Sequence, residues 1–144
     1  MRAMGKASDS NFATATLPQL TIAEYLQGGG YERYLRRVRQ AYAQHTGLFA
    51  QAIGDAFPSG TRVTRPGGGF VVWVELPPHI DSLELYRQAL TAGITFAPGP
   101  IFTAGGGFRN FLRLNAATWS PAVAAAIKTL GDLATGALSE STSP

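Results

Sequence analysis

"FRNFLRLN", Phe108–Asn115, has the look of a strand with an arginine near its centre. Side chains alternate along a strand, so Phe111, Arg113 and Asn115 share one face and Leu112 and Leu114 the other. A guanidinium keeps its charge, and its donors need acceptors. No acidic residue lies nearby in sequence. Two readings stand open at this point. Arg113 pairs with a distant carboxylate, Glu75 or Asp81, or its planar fork captures a carboxylate from elsewhere.

A second strand precedes it. "GFVVWVEL", Gly69–Leu76, is β-rich, with Phe70, Val72, Val74 and Leu76 on one face and Val71, Trp73 and Glu75 on the other. "TRVT" before it is a short strand. The intervening "RPGGG" is a turn whose glycines allow positive φ or close backbone approach. Pro77 and Pro78 end the second strand. "DSLELYRQALTAG" follows as a helix, with Asp81 or Ser82 able to cap it and Gly93 closing it. "ITFAP" is a strand and "GPIFTAGGG" a glycine-rich loop, which returns the chain to the opening strand. The last helix starts with Ser120 as cap and Pro121 in the first position, and its buried stripe is Val123, Ile127, Leu130 and Ala134.

Upstream, the spacing predicts one long helix over 31–57, with Tyr31, Tyr34, Leu35, Val38, Tyr42, Phe49, Ile53 and Phe57 along a single face. At ~1.5 Å per residue it would be roughly 40 Å long, more than a compact domain of this size needs. One end is therefore expected to belong to a neighbouring body. "LPQLTIAEYLQ" from Leu17 is a shorter helix stopped by Gly28–Gly30. The expected organisation is a loose leader at 1–16, a helical linker and long helix at 17–57, a small domain at 58–135 and a flexible tail at 136–144. Strands and helices interleave without regular βαβ alternation. The fold class is α+β, with a mostly antiparallel sheet of about four strands covered by helices.

Composition narrows the functional classes. The chain has 144 residues, no cysteine and a formal net charge of +3. Disulfides and thiolate metal sites are excluded. No apolar run has the length of a membrane span. "MRAMGKASDS" lacks an apolar signal core, which leaves the cytoplasm as the expected compartment. His45 and His79 are the only histidines and lack partners at ligand spacing, so no metal site is expected. The only lysines are Lys6 and Lys128. "GGGF" occurs twice, at Gly67 and Gly105, but each copy enters a strand, whereas phosphate loops open a helix. Arg33, Arg36, Arg37 and Arg39 spread around the long helix as a solvated or interdomain face, and no direct nucleic-acid binding is expected.

Four segments, "LPQLTIAEYLQGGGYERYLRRVRQAY", "RPGGGFVVWVELP", "GITFAPGPIFTAGGGFRNFLRLN" and "WSPAVAAAIKTLGDL", occur in an order and spacing that resemble a known family. It is the C-terminal part of the aminotransferase-like domain of MocR-type regulators in the GntR superfamily, similar to fold type I aminotransferases dependent on pyridoxal 5′-phosphate (PLP). The resemblance covers about Leu17 to Leu133. It implies that Arg113 grips the α-carboxylate of an amino-acid-like substrate or effector. It places Gly68, Gly69, Pro98, Gly99 and Asn115 near the active site or the domain interface, and makes the long helix the one joining large and small domains. The family's Ser-x-x-Lys segment, which holds PLP covalently, has no match here, and Lys6 in "MGKAS" lacks its context.

The resemblance therefore implies a truncated piece, about the last third of the architecture. Its partners would be a large PLP-binding domain and a DNA-binding domain, in a protein dimeric when complete. No tight PLP binding and no catalysis are expected of this chain alone. A fragment of a true aminotransferase and a stand-alone α+β interaction module are the alternatives.

Overall fold

The computed structural model describes residues 29–141. The leader, the helix expected from Leu17 and Lys6 all lie outside the described residues. The chain divides into two compact units, Met1–Gln40 and Ala41–Pro144. The boundary falls within the first described helix, whereas the sequence places one after residue 57.

That helix, α1, spans Gly30–Ala56. In the first unit it carries Arg33, Tyr34, Arg36, Arg37 and Arg39, all exposed. The second unit holds its remaining turns, where Phe49 and Ile53 are buried. Burying side chains of this size contributes about 1.5–3 kcal/mol each, which fixes this half of the helix to the sheet. Thr61 caps the exit by donating its N–H and hydroxyl to the Pro58 carbonyl, at 3.2 and 2.7 Å.

The sheet comprises β1 (Arg62–Val63), β2 (Val71–Glu75), β3 (Ala97–Pro98) and β4 (Phe111–Asn115). Their order is β1-β2-β4-β3, and every neighbouring pair is antiparallel. The four-stranded α+β architecture expected from sequence is present. "ITFAP" forms a ladder only at Ala97 and Pro98, on the edge of the sheet beside β4, a position where proline is tolerated.

Alternation sorts the two faces. Val72, Val74, Leu112 and Leu114 point into the core, with Leu76 and Ala116 continuing it. Over them lie the second-unit turns of α1, α2 (Ser82–Thr91) and α3 (Pro121–Ser141). Leu85 and Ala89 come from α2, and Ile127, Leu130 and Ala134 from α3. The stripe expected on α3 is the buried one, except that Val123 is only partly covered. Ser120 caps α3 by accepting the Val123 N–H at 3.2 Å. The helix continues to Ser141, past residue 136 where the tail was expected, because "ATGALSE" contains no proline and keeps the helical spacing of Ala134, Ala137 and Leu138.

No described helix is long and apolar enough to cross a membrane.

Candidate carboxylate-binding site

The opposite sheet face carries Val71, Trp73, Glu75, Phe111, Arg113 and Asn115, none of them buried. β4 is an interior strand, so Arg113 has a neighbour on each side, Trp73 on β2 and Ala97 on β3. It sits at the centre of the open face.

The two carboxylates offered by the sequence as its partners are used elsewhere. Glu75 faces Arg62 across the β1–β2 pair, at 3.9 Å. Asp81 is ion-paired with Arg109, whose Nε donates at 3.0 Å and whose Nη2 makes a second bond. Among the described residues no carboxylate pairs with Arg113. Neither of the two carboxylates that the sequence offers it, Glu75 and Asp81, is paired with it. Arg113 rests instead over the ring of Phe102, 4.6 Å from its centroid.

Phe102 belongs to a short 3-10 turn, Gly99–Phe102, entered from the edge strand at Pro98. Pro98 and Gly99 are buried. Gly99 lies against the Phe108 carbonyl, and a β-carbon at this glycine would fall 2.1 Å from that oxygen. Phe108 itself has φ +56, the left-handed region that non-glycine residues seldom adopt. Its carbonyl accepts the Phe111 N–H at 3.0 Å, which closes the turn into β4.

Further bonds tie this turn to the end of β2 and to α2. Asn110 exchanges bonds with Leu76, through its backbone carbonyl and its side-chain amide, at 2.7 and 2.6 Å. The Ser82 N–H donates to the Arg109 carbonyl at 2.6 Å. Arg109 shares strand parity with Arg113 in sequence, yet β4 begins only at Phe111, so parity says nothing about its direction.

Asp81 joins the two elements. As the cap of α2 it accepts the Leu83 and Glu84 N–H groups at 2.8 and 3.3 Å, and it holds Arg109 besides. Partial burial pushes its carboxyl up, but the Arg109 hydrogen bond, the two backbone bonds and the nearby positive charge outweigh this. Together they hold the carboxyl below its ordinary value. Losing a cap costs ~1 kcal/mol, and an exposed ion pair adds about 0–1 kcal/mol.

Asp81→Ala is accordingly expected to lower unfolding stability by about 1.5 kcal/mol. A depressed folded-state value means that the unfolded chain takes up its proton first as acid is added. The contribution is full above the unfolded value, near 3.8, and disappears as pH falls through the folded one. Urea midpoints of wild type and Asp81→Asn should therefore converge in acid. A gap that is constant between neutral pH and the acid limb would refute the charge assignment.

The other expected site residues fall at the far end of β4. Asn115 accepts the Ala117 N–H through its side chain at 2.9 Å, turning the chain out of the sheet. The His45 ring Nδ1 donates to the Ala117 carbonyl at 2.9 Å, fixing this turn to α1. Gly68 and Gly69 are exposed in the turn before β2. Gly69 has φ +78, and the Phe70 ring beyond it packs on Tyr42 at 5.1 Å. Pro98, Gly99 and Arg113 are thus brought together. Asn115, Gly68 and Gly69 lie toward the opposite end of the same strand pair, where Val71 faces Asn115. The contact of Phe102 with Arg113 was not legible in the sequence, although "GPIF" put an aromatic in a loop next to the edge strand.

A separate cleft of about 540 Å³ lies between α1 and the β1–β2 turn, lined by Thr46, Gly47, Ala50, Gln51, Arg65 and Pro66 among others. It does not include Arg113. The donor set for PLP is also incomplete. Lys128 is the only described lysine, and its amine bonds Asp132 at 3.4 Å on the exposed side of α3. The N-terminus of α2 is taken by Asp81. The described residues do not by themselves fit the cofactor. No group of histidines, cysteines or carboxylates among them could hold a metal ion.

No protein-family model matches the chain. Individual proteins do. An HTH-type transcriptional regulator of Escherichia coli K12, YjiR, is 40% identical over 99 residues, 69% of this chain and 21% of its own length. The 2-aminoadipate transaminase of Thermus thermophilus is 38% identical over 126 residues, 87% of this chain and 32% of that protein. Among solved structures, LysN, the α-aminoadipate aminotransferase of T. thermophilus complexed with N-(5′-phosphopyridoxyl)-L-leucine, superposes with a TM-score of 0.68. It is 37% identical and covers 83% of this chain and 31% of its own. The kynurenine aminotransferase of Pyrococcus horikoshii gives a TM-score of 0.71 at 30% identity, covering 79% of this chain and 28% of its own. The chain spans between 21% and 32% of the length of these proteins. It belongs to the fold type I aminotransferase-like family and corresponds to the C-terminal part of the domain shared by MocR-type, GntR-superfamily regulators and PLP-dependent aminotransferases.

Proposed function

We propose that the chain is the C-terminal segment of the PLP-binding effector domain of a MocR-type regulator, and that Arg113 receives the carboxylate of an amino-acid-like effector. The observation that carries this reading is the state of Arg113, a guanidinium at the centre of an open sheet face with no carboxylate of its own among the described residues. Bidentate recognition of a carboxylate suits its planar fork. The chain's own residues bind and orient here. The covalent anchoring of PLP, and the electron sink it supplies when bound, belong to parts of the architecture that these residues do not provide. On this reading the segment does not catalyse transamination alone. In the complete protein it works with a cofactor-binding domain and a DNA-binding domain in a cytoplasmic dimer.

The transaminase relative supports a second reading with the same chemistry, in which Arg113 serves a true aminotransferase. A chimera tests the shared element. Residues 29–141 would replace the matching segment of the T. thermophilus 2-aminoadipate transaminase. Arg113→Lys in that chimera is expected to raise KM for the amino-acid substrate by about 10- to 100-fold, the loss of a charged hydrogen-bond pair, while the cofactor absorbance is retained. An unchanged KM would sink the carboxylate assignment for both readings.

A further inference from the structure

We propose that Phe102, braced by Trp73, is a positioning residue that holds the Arg113 guanidinium ready for its carboxylate. This rests on the carboxylate reading above and adds to it the means by which the arginine is oriented. An arginine side chain is long and rotamer-rich, and ordering it on binding costs free energy. On an open face whose own carboxylate, Glu75, faces Arg62, it would sample many directions. Three observations show that here it does not stand alone.

The Arg113 Cζ lies 4.6 Å from the Phe102 ring centroid, within the range of cation–π attraction. The Phe102 ring meets Trp73 edge to face at 5.1 Å. Trp73 is in turn the direct cross-strand partner of Arg113. Its backbone is held from the other side by Thr64, whose N–H donates to the Trp73 carbonyl at 2.9 Å and whose hydroxyl accepts the Trp73 N–H at 2.9 Å. Arg113 and Trp73, paired across neighbouring strands, therefore both meet the Phe102 ring.

The geometry suits the task. A ring contacts the flat face of a guanidinium, whereas a carboxylate binds along its edge through the N–H groups. The two interactions do not compete. A carboxylate partner such as Glu75 would have held the cation equally well but would have filled the donors. Phe102 is 41% exposed and lies outside the buried core cluster. Its contribution to the fold is therefore slight, and its effect on Arg113 can be tested separately.

The test uses the full chain with arginine side chains labelled for NMR. In wild type the Arg113 Nε–H is expected to be displaced upfield by the ring, with an order parameter nearer the rigid value of ~0.85 than the flexible limit of ~0.6. Phe102→Leu should remove the displacement and drop the order parameter below ~0.6, with core amide shifts unchanged. Phe102→Tyr should restore both. Titration with sodium acetate, read at Arg113 against the exposed Arg65, should show association about two- to fivefold weaker in Phe102→Leu, the size of an exposed cation–π contact. Equal order at Arg113 in wild type and Phe102→Leu overturns the positioning role. If Arg113 is ordered by Phe102 but acetate shifts it no more than Arg65, the carboxylate reading fails instead, and the aromatic support stands.

Discussion

Gly131→Ala is expected to destabilise the protein by about 3 kcal/mol, the upper part of the range for overpacking, and to lower the thermal midpoint by roughly 10 °C. Gly131 is buried in α3 where that helix crosses the end of α1. A β-carbon there would lie 2.4 Å from the Ala56 carbonyl oxygen and 2.7 Å from its carbon. Both are backbone atoms, so no side chain can swing away. The helices must separate, and Ile53, Phe57 and Leu130 would lose packing with them. The sharpest control is Gly136→Ala in the same helix. A β-carbon at Gly136 meets nothing within 4 Å, so the substitution should gain the ordinary helix preference of alanine, ~0.5–1 kcal/mol. Two identical substitutions in one helix should move the midpoint in opposite directions. Thermal unfolding followed by circular dichroism decides it, and a stabilised Gly131→Ala would show that the helix crossing is looser than described.

Gly99→Ala should cost a similar amount, about 3 kcal/mol, and should also disturb the Arg113 site. The added carbon would fall 2.1 Å from the Phe108 carbonyl oxygen and 2.9 Å from the β-carbon of Phe111. Neither neighbour has slack. Phe108 already occupies a left-handed backbone conformation, and its carbonyl is engaged by the Phe111 N–H. The 3-10 turn must then move off β4, taking Phe102 with it. A drop in thermal midpoint together with loss of the ring-current displacement at Arg113 is the expected pair of results. Gly105→Ala in the same loop is the control, since its β-carbon meets nothing within 4 Å, and it should be neutral or gain up to ~1 kcal/mol from a stiffer unfolded chain. A Gly99→Ala protein with unaltered Arg113 resonances would show that the turn can yield without moving Phe102.

The strands and their buried faces were legible because each has one hydrocarbon side. Val72 and Val74 alternate with Trp73, and Leu112 and Leu114 alternate with Arg113, and the structure buries the aliphatic member of each pair, while Phe70, assigned to the Val72 face, is exposed. The caps were legible too, Ser120 for α3 outright and Asp81 for α2 as one of two neighbours, with Ser82, because capping is a local matter. What lay beyond reach were relations between distant residues. The sequence offered Glu75 and Asp81 to Arg113, but strand pairing gives the first to Arg62, and the turn into β4 gives the second to Arg109. The tight seats of Gly99 and Gly131 depend on carbonyls of Phe108 and Ala56, and nothing in the immediate sequence of either glycine marks it apart from its freely substitutable neighbours. Phe102 was hidden for the same reason, since its meaning comes from a tryptophan on a distant stretch of the chain.

The outermost strands, Arg62–Val63 and Ala97–Pro98, are two residues each. A sheet grows by offering a row of unpaired N–H and C=O groups to an incoming chain, and edges this short, one of them ending in a residue without an N–H, make poor templates. The aromatic face around Arg113 can therefore stay uncovered without inviting lateral polymerisation. Whatever meets it must be recognised through side chains, so selectivity there is a matter of shape and charge, with little contribution from backbone zippering.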